Sequence, residues 1–119
     1  MPITSFVFDE NSKTASWQDG ATPVVILQLR QACNDAQRNV VFALPLEDGR
    51  KVLDVFGHDG KLITQLPAPE GCYFEYLLDH ASYGVRAVCS GVELAGGSMD
   101  CYFKIDLAAG KLVQQGRAY

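Results

Sequence analysis

The chain has 119 residues, of which 48% are hydrophobic and 20% are charged, and its formal net charge is −4. This length predicts one domain over residues 1–119, with enough apolar surface for a core that needs no metal or disulfide. The ten Lys and Arg residues are scattered, and only Arg50 and Lys51 are adjacent. Nucleic-acid binding needs a basic stripe, so we expect no nucleic-acid partner. An acidic chain suits a basic partner.

The termini and the cysteines indicate where the protein resides. The first residues contain neither a basic segment nor a long apolar one, so they do not resemble a signal peptide. The longest apolar run, 24–27, is far shorter than the ~20 residues of a membrane-spanning helix. No C-x-x-C motif or zinc-like spacing occurs among Cys33, Cys72, Cys89 and Cys101. We therefore expect a cytoplasmic protein with free thiols and without metal, cofactor or membrane partner.

The segment 22–37 allows two interpretations. Thr22 as N-cap and Pro23 as first helical residue would begin a helix, whereas the β-branched run that follows favours a strand. We favour the helix, because residues 31–37 are poor strand formers. Its apolar stripe would consist of Val25, Leu29, Ala32, Cys33 and Ala36.

Seven later segments are predicted to be strands, because they are short, rich in β-branched or aromatic residues and bounded by turn residues. The clearest is 101–107, in which apolar and polar residues alternate. The predicted class is therefore α+β, a mainly antiparallel meander of about six to eight strands with one N-terminal helix. A strand over 24–31 would instead give an all-β sandwich or barrel. The seven segments are 39–45, 51–56, 61–66, 72–78, 83–89, 101–107 and 111–115.

Three turns place a glycine directly before a basic residue that begins a strand: Gly49, Gly60 and Gly110. Such a glycine suits the left-handed position of a hairpin loop. Around Gly60 and Gly110, about ten residues each resemble the hairpins of β-propeller blades. A closed propeller needs at least four blades and this length supplies two at most, so we interpret these segments as two similar hairpins.

The glycine-rich segment 90–100 is the longest predicted loop, and long loops are often functional. It approaches the phosphate-binding pattern G-x-x-x-x-G-K-[ST], but Gly97 stands where the pattern requires lysine. Without the lysine ammonium group, the terminal phosphates of a bound nucleotide would have no positively charged partner. We therefore expect no nucleotide site in this loop.

Both histidines, His58 and His80, lie in predicted turns. A cysteine nucleophile would need one of them within hydrogen-bonding distance. If strands 72–78 and 83–89 pair directly, Cys72 faces Cys89 at the far end from His80, about 20 Å away. We therefore expect no catalytic residue.

One outward sheet face is the strongest candidate for binding. In the predicted hairpin register, Glu75 faces Arg86 and Tyr73 faces Val88. Strand 101–107 would add three outward residues if it joins this sheet. Tyrosine and arginine dominate protein–protein hot spots. The predicted interaction surface is Tyr73, Glu75, Arg86, Tyr102, Lys104 and Asp106.

Three functions are compatible with these residues. We expect a non-catalytic, small acidic cytoplasmic protein that binds or inhibits a protein partner, and in size and charge it resembles bacterial toxin-neutralising immunity proteins. The alternatives are a small-ligand-binding β module, closed by loop 90–100, and an enzyme without a recognisable motif. An unprotected edge strand would also allow two copies to pair. Trp17, the only tryptophan, either caps the core edge or serves as an exposed anchor.

Overall fold

The computed structural model describes residues 2–80, 84–91 and 100–117, which form eleven β-strands and no helix. The glycine-rich segment 92–99 and the side chain of His80 lie outside the described residues. The strands are β1 (Ile3–Asp9), β2 (Thr14–Asp19), β3 (Thr22–Ile26), β4 (Leu29–Asp35), β5 (Val40–Pro45), β6 (Val52–Gly57), β7 (Leu62–Pro67), β8 (Cys72–His80), β9 (Gly84–Gly91), β10 (Cys101–Asp106) and β11 (Lys111–Arg117).

The strands form three antiparallel sheets, each a meander of consecutive strands. Sheet A contains β1–β3, sheet B contains β4–β7 and sheet C contains β8–β11. Strand β4 lies against β1 and β2 on one side and against β8 and β9 on the other, so sheet B is the middle layer. The Cα radius of gyration is 14.0 Å, close to the ~13.5 Å expected of one compact domain of this length.

Two hydrophobic cores hold the three sheets together, one on each face of sheet B. The alternation of side chains along a strand allows sheet B to contribute to both. The core between sheets A and B contains Ala15, Trp17, Val24, Leu29, Ala32, Val41 and Ala43. The core between sheets B and C contains Val40, Phe42, Leu44, Leu53, Val55, Leu66, Phe74, Leu77, Val85, Ala87, Cys89, Cys101, Phe103 and Ile105.

The helix predicted over 22–37 is wrong, because this segment forms strands β3 and β4 in two different sheets. Gln28 turns the chain between them with a φ of 61°. The supposed helical stripe is divided between the two cores: Leu29 and Ala32 contact sheet A, whereas Cys33 packs against the core with sheet C. Long-range sheet pairing therefore outweighs the helix-forming residues of 31–37.

The predicted number of strands, six to eight, is also wrong, because the described residues form eleven strands. All seven predicted segments are strands, and the additional ones are β1–β4. The α+β class is overturned, and the alternative all-β class describes the chain, with three stacked sheets. Four of the six residues of β2 are polar, and a register shift between Thr4 and Val7 breaks the alternation of β1, so neither strand shows a clear period in the sequence.

The predicted hairpin glycines are confirmed at two of three positions. Gly60 and Gly110 have φ values of 84° and 69°. Gly49 does not adopt a positive φ; it is needed for close packing, because a Cβ there would collide with the backbone oxygen of Pro45. The described part of the chain contains no helix long and apolar enough to cross a membrane.

Candidate protein-binding site

The face of sheet C turned away from sheet B contains the six predicted interaction residues. On β10, Tyr102, Lys104 and Asp106 alternate with three buried residues of the core. Strand β10 pairs with β9, and β9 pairs with β8, so the three strands share one continuous face. We call this surface the outer C face. It comprises Tyr73, Glu75, Tyr76, Leu78, Arg86, Val88, Ser90, Tyr102, Lys104, Asp106, Lys111 and Val113.

Two tyrosines, Tyr76 and Tyr102, lie on either side of Val88 in a row across the centre of the outer C face. Val88 faces Tyr76 on β8 and Tyr102 on β10, and it is fully buried. The guanidinium carbon of Arg86 lies 4.2 Å from the centroid of the Tyr102 ring. An arginine stacked on an aromatic ring gains about 0.5–1 kcal/mol at an exposed site. This contact holds a cation and an aromatic ring side by side.

A second arginine–tyrosine pair forms at the β8 side of the same face. Arg50 enters from the turn between β5 and β6, and its guanidinium carbon lies 4.6 Å from the centroid of the Tyr73 ring. The same guanidinium contacts the Glu75 carboxylate at 3.0 Å, and the Ser90 hydroxyl donates to that carboxylate at 2.8 Å. Tyr73 remains 40% exposed. Sheet B therefore contributes a residue to a surface carried by sheet C.

Two side chains of β4 hold β8 in place. The Arg30 guanidinium donates to the backbone carbonyls of Phe74 at 3.1 Å and Glu75 at 2.7 Å. The Gln31 amide donates to the carbonyl of Leu77 at 2.9 Å and accepts its N–H at 2.6 Å. Strand β8 lies at the edge of sheet C, and these bonds pair backbone groups that an edge strand would otherwise leave unpaired. These bonds set the position from which Tyr73 and Glu75 project.

The predicted cross-strand pairs on this face are wrong, although the six residues share the face. A bulge between Phe74 and Tyr76 shifts the register of β8 against β9 and leaves Glu75 without a direct partner on β9. Glu75 consequently bonds Arg50, whose place beside this face no pattern in the sequence indicates. The observed cross-strand partners are Ser90 for Tyr73, Tyr76 for Val88 and Leu78 for Arg86.

The cysteines are packed as core residues. Cys72 faces Gly91, not Cys89 as predicted, while Cys89 and Cys101 face each other across β9 and β10. Burial raises the pKa of the Cys89 thiol to about 12, with the neighbouring Cys72 and Glu75 adding to the rise. Burial and the Asp79 charge raise the pKa of Cys33 to about 11. Both thiols are protonated at neutral pH, so neither is a competent nucleophile.

The raised pKa values predict slow alkylation of Cys33 and Cys89 in the folded protein. Only the thiolate reacts, and a rise of the Cys33 pKa from 9.0 to about 11 reduces its thiolate fraction at pH 8 about a hundredfold. We expect iodoacetamide to modify the partly exposed Cys72 first, as measured by peptide mass spectrometry. Denatured protein is the control, in which all four cysteines should react alike. Faster modification of Cys89 than of Cys72 would contradict this prediction.

A histidine–carboxylate pair lies at the boundary of sheets A and B. His58 Nδ1 is 2.9 Å from Asp19 Oδ1, and the carbonyl oxygen of His58 accepts the Trp17 Nε1–H at 2.7 Å. Within the described residues, no serine or cysteine is hydrogen-bonded to the His58 ring, so the pair lacks a nucleophile. It joins the two sheets instead.

The described residues were compared with the requirements of metal and small-molecule sites. Residues 2–80, 84–91 and 100–117 contain no group of three His, Cys, Asp or Glu side chains placed to hold a metal ion. A cavity of about 200 Å³ is smaller than the ~300–1,000 Å³ typical of ligand sites. Its lining residues are Gln28, Pro45, Leu46, Glu47 and Asp48.

Comparison with known proteins supplied no relative from which a function could be transferred. No protein-family model matches the chain, and neither a curated protein nor a solved structure does.

Proposed function

We propose that the chain is a non-catalytic protein that binds or inhibits a protein partner through the outer C face. The observation that carries this proposal is the pair of arginine–tyrosine stacks, Arg86 on Tyr102 and Arg50 on Tyr73. Arginine and tyrosine are, with tryptophan, the residue types enriched in interface hot spots. Each stack orders its side chains before binding, which reduces the entropy lost when the complex forms.

The charge of this surface indicates the kind of partner. The positive residues Arg50, Arg86, Lys104 and Lys111 stand against Glu75 and Asp106, so the local charge is +4 − 2 = +2, whereas the chain as a whole has −4. The remaining residues therefore carry −4 − 2 = −6. A positive patch on an acidic protein favours encounter with an acidic surface in one orientation. We propose a partner that presents carboxylates to this face, even though the overall charge suits a basic partner.

The same proposal includes a location in the cytoplasm and an inhibitory action. All four cysteines are thiols, including Cys89 and Cys101, which lie opposite each other on neighbouring strands. Free thiols in such an arrangement suit a reducing compartment. An inhibitor comparable with immunity proteins needs only to cover a partner's surface, which requires no chemistry of its own. The outer C face can perform that task.

Two substitutions at the centre of the outer C face, an alanine truncation and a charge reversal, test this proposal. Tagged protein is used to capture the partner from its native cells, and the affinity of the purified pair is then measured by calorimetry. We expect Tyr102→Ala and Arg86→Glu each to weaken binding about thirtyfold, the effect of losing a hot-spot residue. The matched control is Lys61→Glu, the same charge reversal at an exposed residue of the β6–β7 turn.

The three variants are first compared with the wild type by circular dichroism, so that loss of folding is not mistaken for loss of binding. The proposal requires binding that weakens in the two outer C face variants and is retained in Lys61→Glu. Equal affinity in all three variants would overturn the assignment of this face. Failure to capture any stoichiometric protein would overturn the proposed function itself.

A further inference from the structure

Three of the four cysteines lie side by side on the inner face of sheet C. Cys89 on β9 faces Cys101 on β10 directly, and both are fully buried in the core between sheets B and C. Cys72 on β8 faces Gly91, which lies two residues after Cys89 and therefore on the same side of β9. The Cys72 side chain packs against the same core and remains partly exposed. Binding through the outer C face uses none of these thiols.

The direct pairing of Cys89 and Cys101 meets the geometric requirement of a disulfide. Residues directly opposite each other in an antiparallel pair have Cα atoms about 4.5–5.5 Å apart, inside the ~4.4–6.8 Å range of disulfides. Cys72 lies diagonally to Cys89, and diagonal neighbours are about 7–8 Å apart, beyond that range. A bond between Cys72 and Cys89 would consequently be strained and easily broken, whereas a bond between Cys89 and Cys101 needs little backbone movement.

The two thiols that flank Cys89 have different surroundings. The Cys72 S–H donates to the carbonyl oxygen of Glu70 at 3.6 Å, at the surface of the protein. The Cys101 sulfur accepts the side-chain N–H of Gln114 at 3.3 Å, and a donor in this position stabilises the negative charge of an attacking sulfur. An oxidant in solution therefore meets Cys72 first, and the sulfur prepared for a later attack is Cys101.

We propose that Cys89 and Cys101 form an oxidation site, which closes to a disulfide when hydrogen peroxide reacts with Cys72. The Cys72 sulfur attacks peroxide, so that an S–O bond forms, the O–O bond breaks and one water leaves. Cys89 displaces the sulfenic hydroxyl group as a second water and forms the Cys72–Cys89 disulfide. Cys101 then attacks Cys89, and Cys72 leaves as a thiol with the proton of Cys101. In total, two thiols and one peroxide give one disulfide and two waters.

Proximity allows the second step to occur at a buried thiol. Burial raises the pKa of Cys89 to about 12, so Cys89 stays protonated and does not react with reagents in solution. A sulfenic acid on the adjacent strand is held beside Cys89, and an intramolecular attack replaces a bimolecular encounter. The strained product then passes its bond to Cys101, because exchange moves the disulfide to the pair with the better geometry.

A disulfide between Cys89 and Cys101 would join the two central strands of sheet C covalently. The loop that it closes, residues 89–101, contains 13 residues. A cross-link of this span should raise the Tm by about 10 °C, because it restricts the unfolded chain. The site would therefore stabilise the protein under oxidising conditions.

Peptide mapping of the oxidised protein tests the proposal. Trypsin leaves Cys89 and Cys101 together in peptide 87–104, whereas Cys72 lies in peptide 62–86. Purified protein is treated with hydrogen peroxide, and the remaining thiols are alkylated with iodoacetamide in urea before digestion. We expect peptide 87–104 to lose two hydrogen atoms, about 2 Da, and to carry no alkyl group. Reduction with dithiothreitol before alkylation should reverse both changes.

Substitutions at Cys72 and Cys33 test the order of the steps. Cys72→Ser should slow disulfide formation about tenfold or more, because peroxide then has to reach a buried, protonated sulfur. The matched control is Cys33→Ser, the same substitution at a partly buried thiol on β4, and it should form the disulfide like the wild type. Circular dichroism before oxidation checks that both variants are folded.

The wild type alone can contradict the proposal. Alkylation of both Cys89 and Cys101 after peroxide treatment would overturn it, and so would a lasting cross-link between peptides 62–86 and 87–104. Equal rates of disulfide formation in the wild type and in Cys72→Ser would also overturn it, by removing Cys72 from the reaction. Partner binding through the outer C face is measured on reduced protein, so the oxidation site and the proposed function fail independently.

Discussion

Replacing Trp17 by alanine is expected to lower the free energy of unfolding by about 4 kcal/mol, the usual cost of truncating a buried aromatic side chain. Trp17 is 2% exposed in the core between sheets A and B, and its ring centroid lies 6.1 Å from that of Phe6. Its indole N–H also donates to the carbonyl of His58, across the boundary between the two sheets. The loss should be measured by urea denaturation followed by circular dichroism, because the variant lacks the only tryptophan.

Trp17→Phe distinguishes the contribution of the aromatic ring to stability from that of the indole hydrogen bond. Phenylalanine retains most of the apolar contact but leaves the His58 carbonyl without its indole donor, a loss of about 1–2 kcal/mol. Sheet A has three strands and depends on this core for its attachment, so Trp17→Ala should also speed amide exchange in β1–β3. A change below about 1 kcal/mol in Trp17→Ala, small for a buried aromatic, would mean that sheet A is held by other contacts.

Gly84→Ala is expected to cost about 3 kcal/mol, of which the positive φ accounts for about 1 kcal/mol. Gly84 has a φ of 73°, and a Cβ there would lie 2.6 Å from Oδ2 of Asp35. Asp35 is fully buried and accepts the backbone N–H groups of Val85 and Arg38, each at 3.1 Å. Displacing this carboxylate leaves buried donors unpaired, at about 1–3 kcal/mol. The total loss in the free energy of unfolding should be measured by urea denaturation.

Gly110→Ala is the matched control for this substitution. Gly110 has nearly the same φ, 69°, but a Cβ there would meet nothing within 4 Å. Its cost should therefore be the conformational term alone, about 1 kcal/mol. Adding Asp35→Ala to Gly84→Ala should cost less than the sum of the single changes, because the two residues share one contact. Equal losses at Gly84 and Gly110 would show that Asp35 adjusts without penalty.

Local structure over much of the chain could be predicted from the order of its amino acids. Seven strands follow from runs of β-branched and aromatic residues, and the positive φ of Gly60 and Gly110 follows from their place in hairpin turns. The outward direction of Tyr102 and Lys104 follows from the alternation along β10. These properties depend on neighbouring residues only, and the period of a strand determines which side chains share a face.

The way in which the strands combine depends on tertiary contacts. The segment 22–37 contains signals for both a helix and a strand, and pairing with β2 and β5 determined the outcome. The bulge beside Glu75 and the approach of Arg50, 25 residues away in sequence, created the arginine–tyrosine surface. The Trp17–His58 bond spans 41 residues. Such contacts depend on which sheets stack and how the chain closes its loops, and periodicity within a single strand carries no information about either.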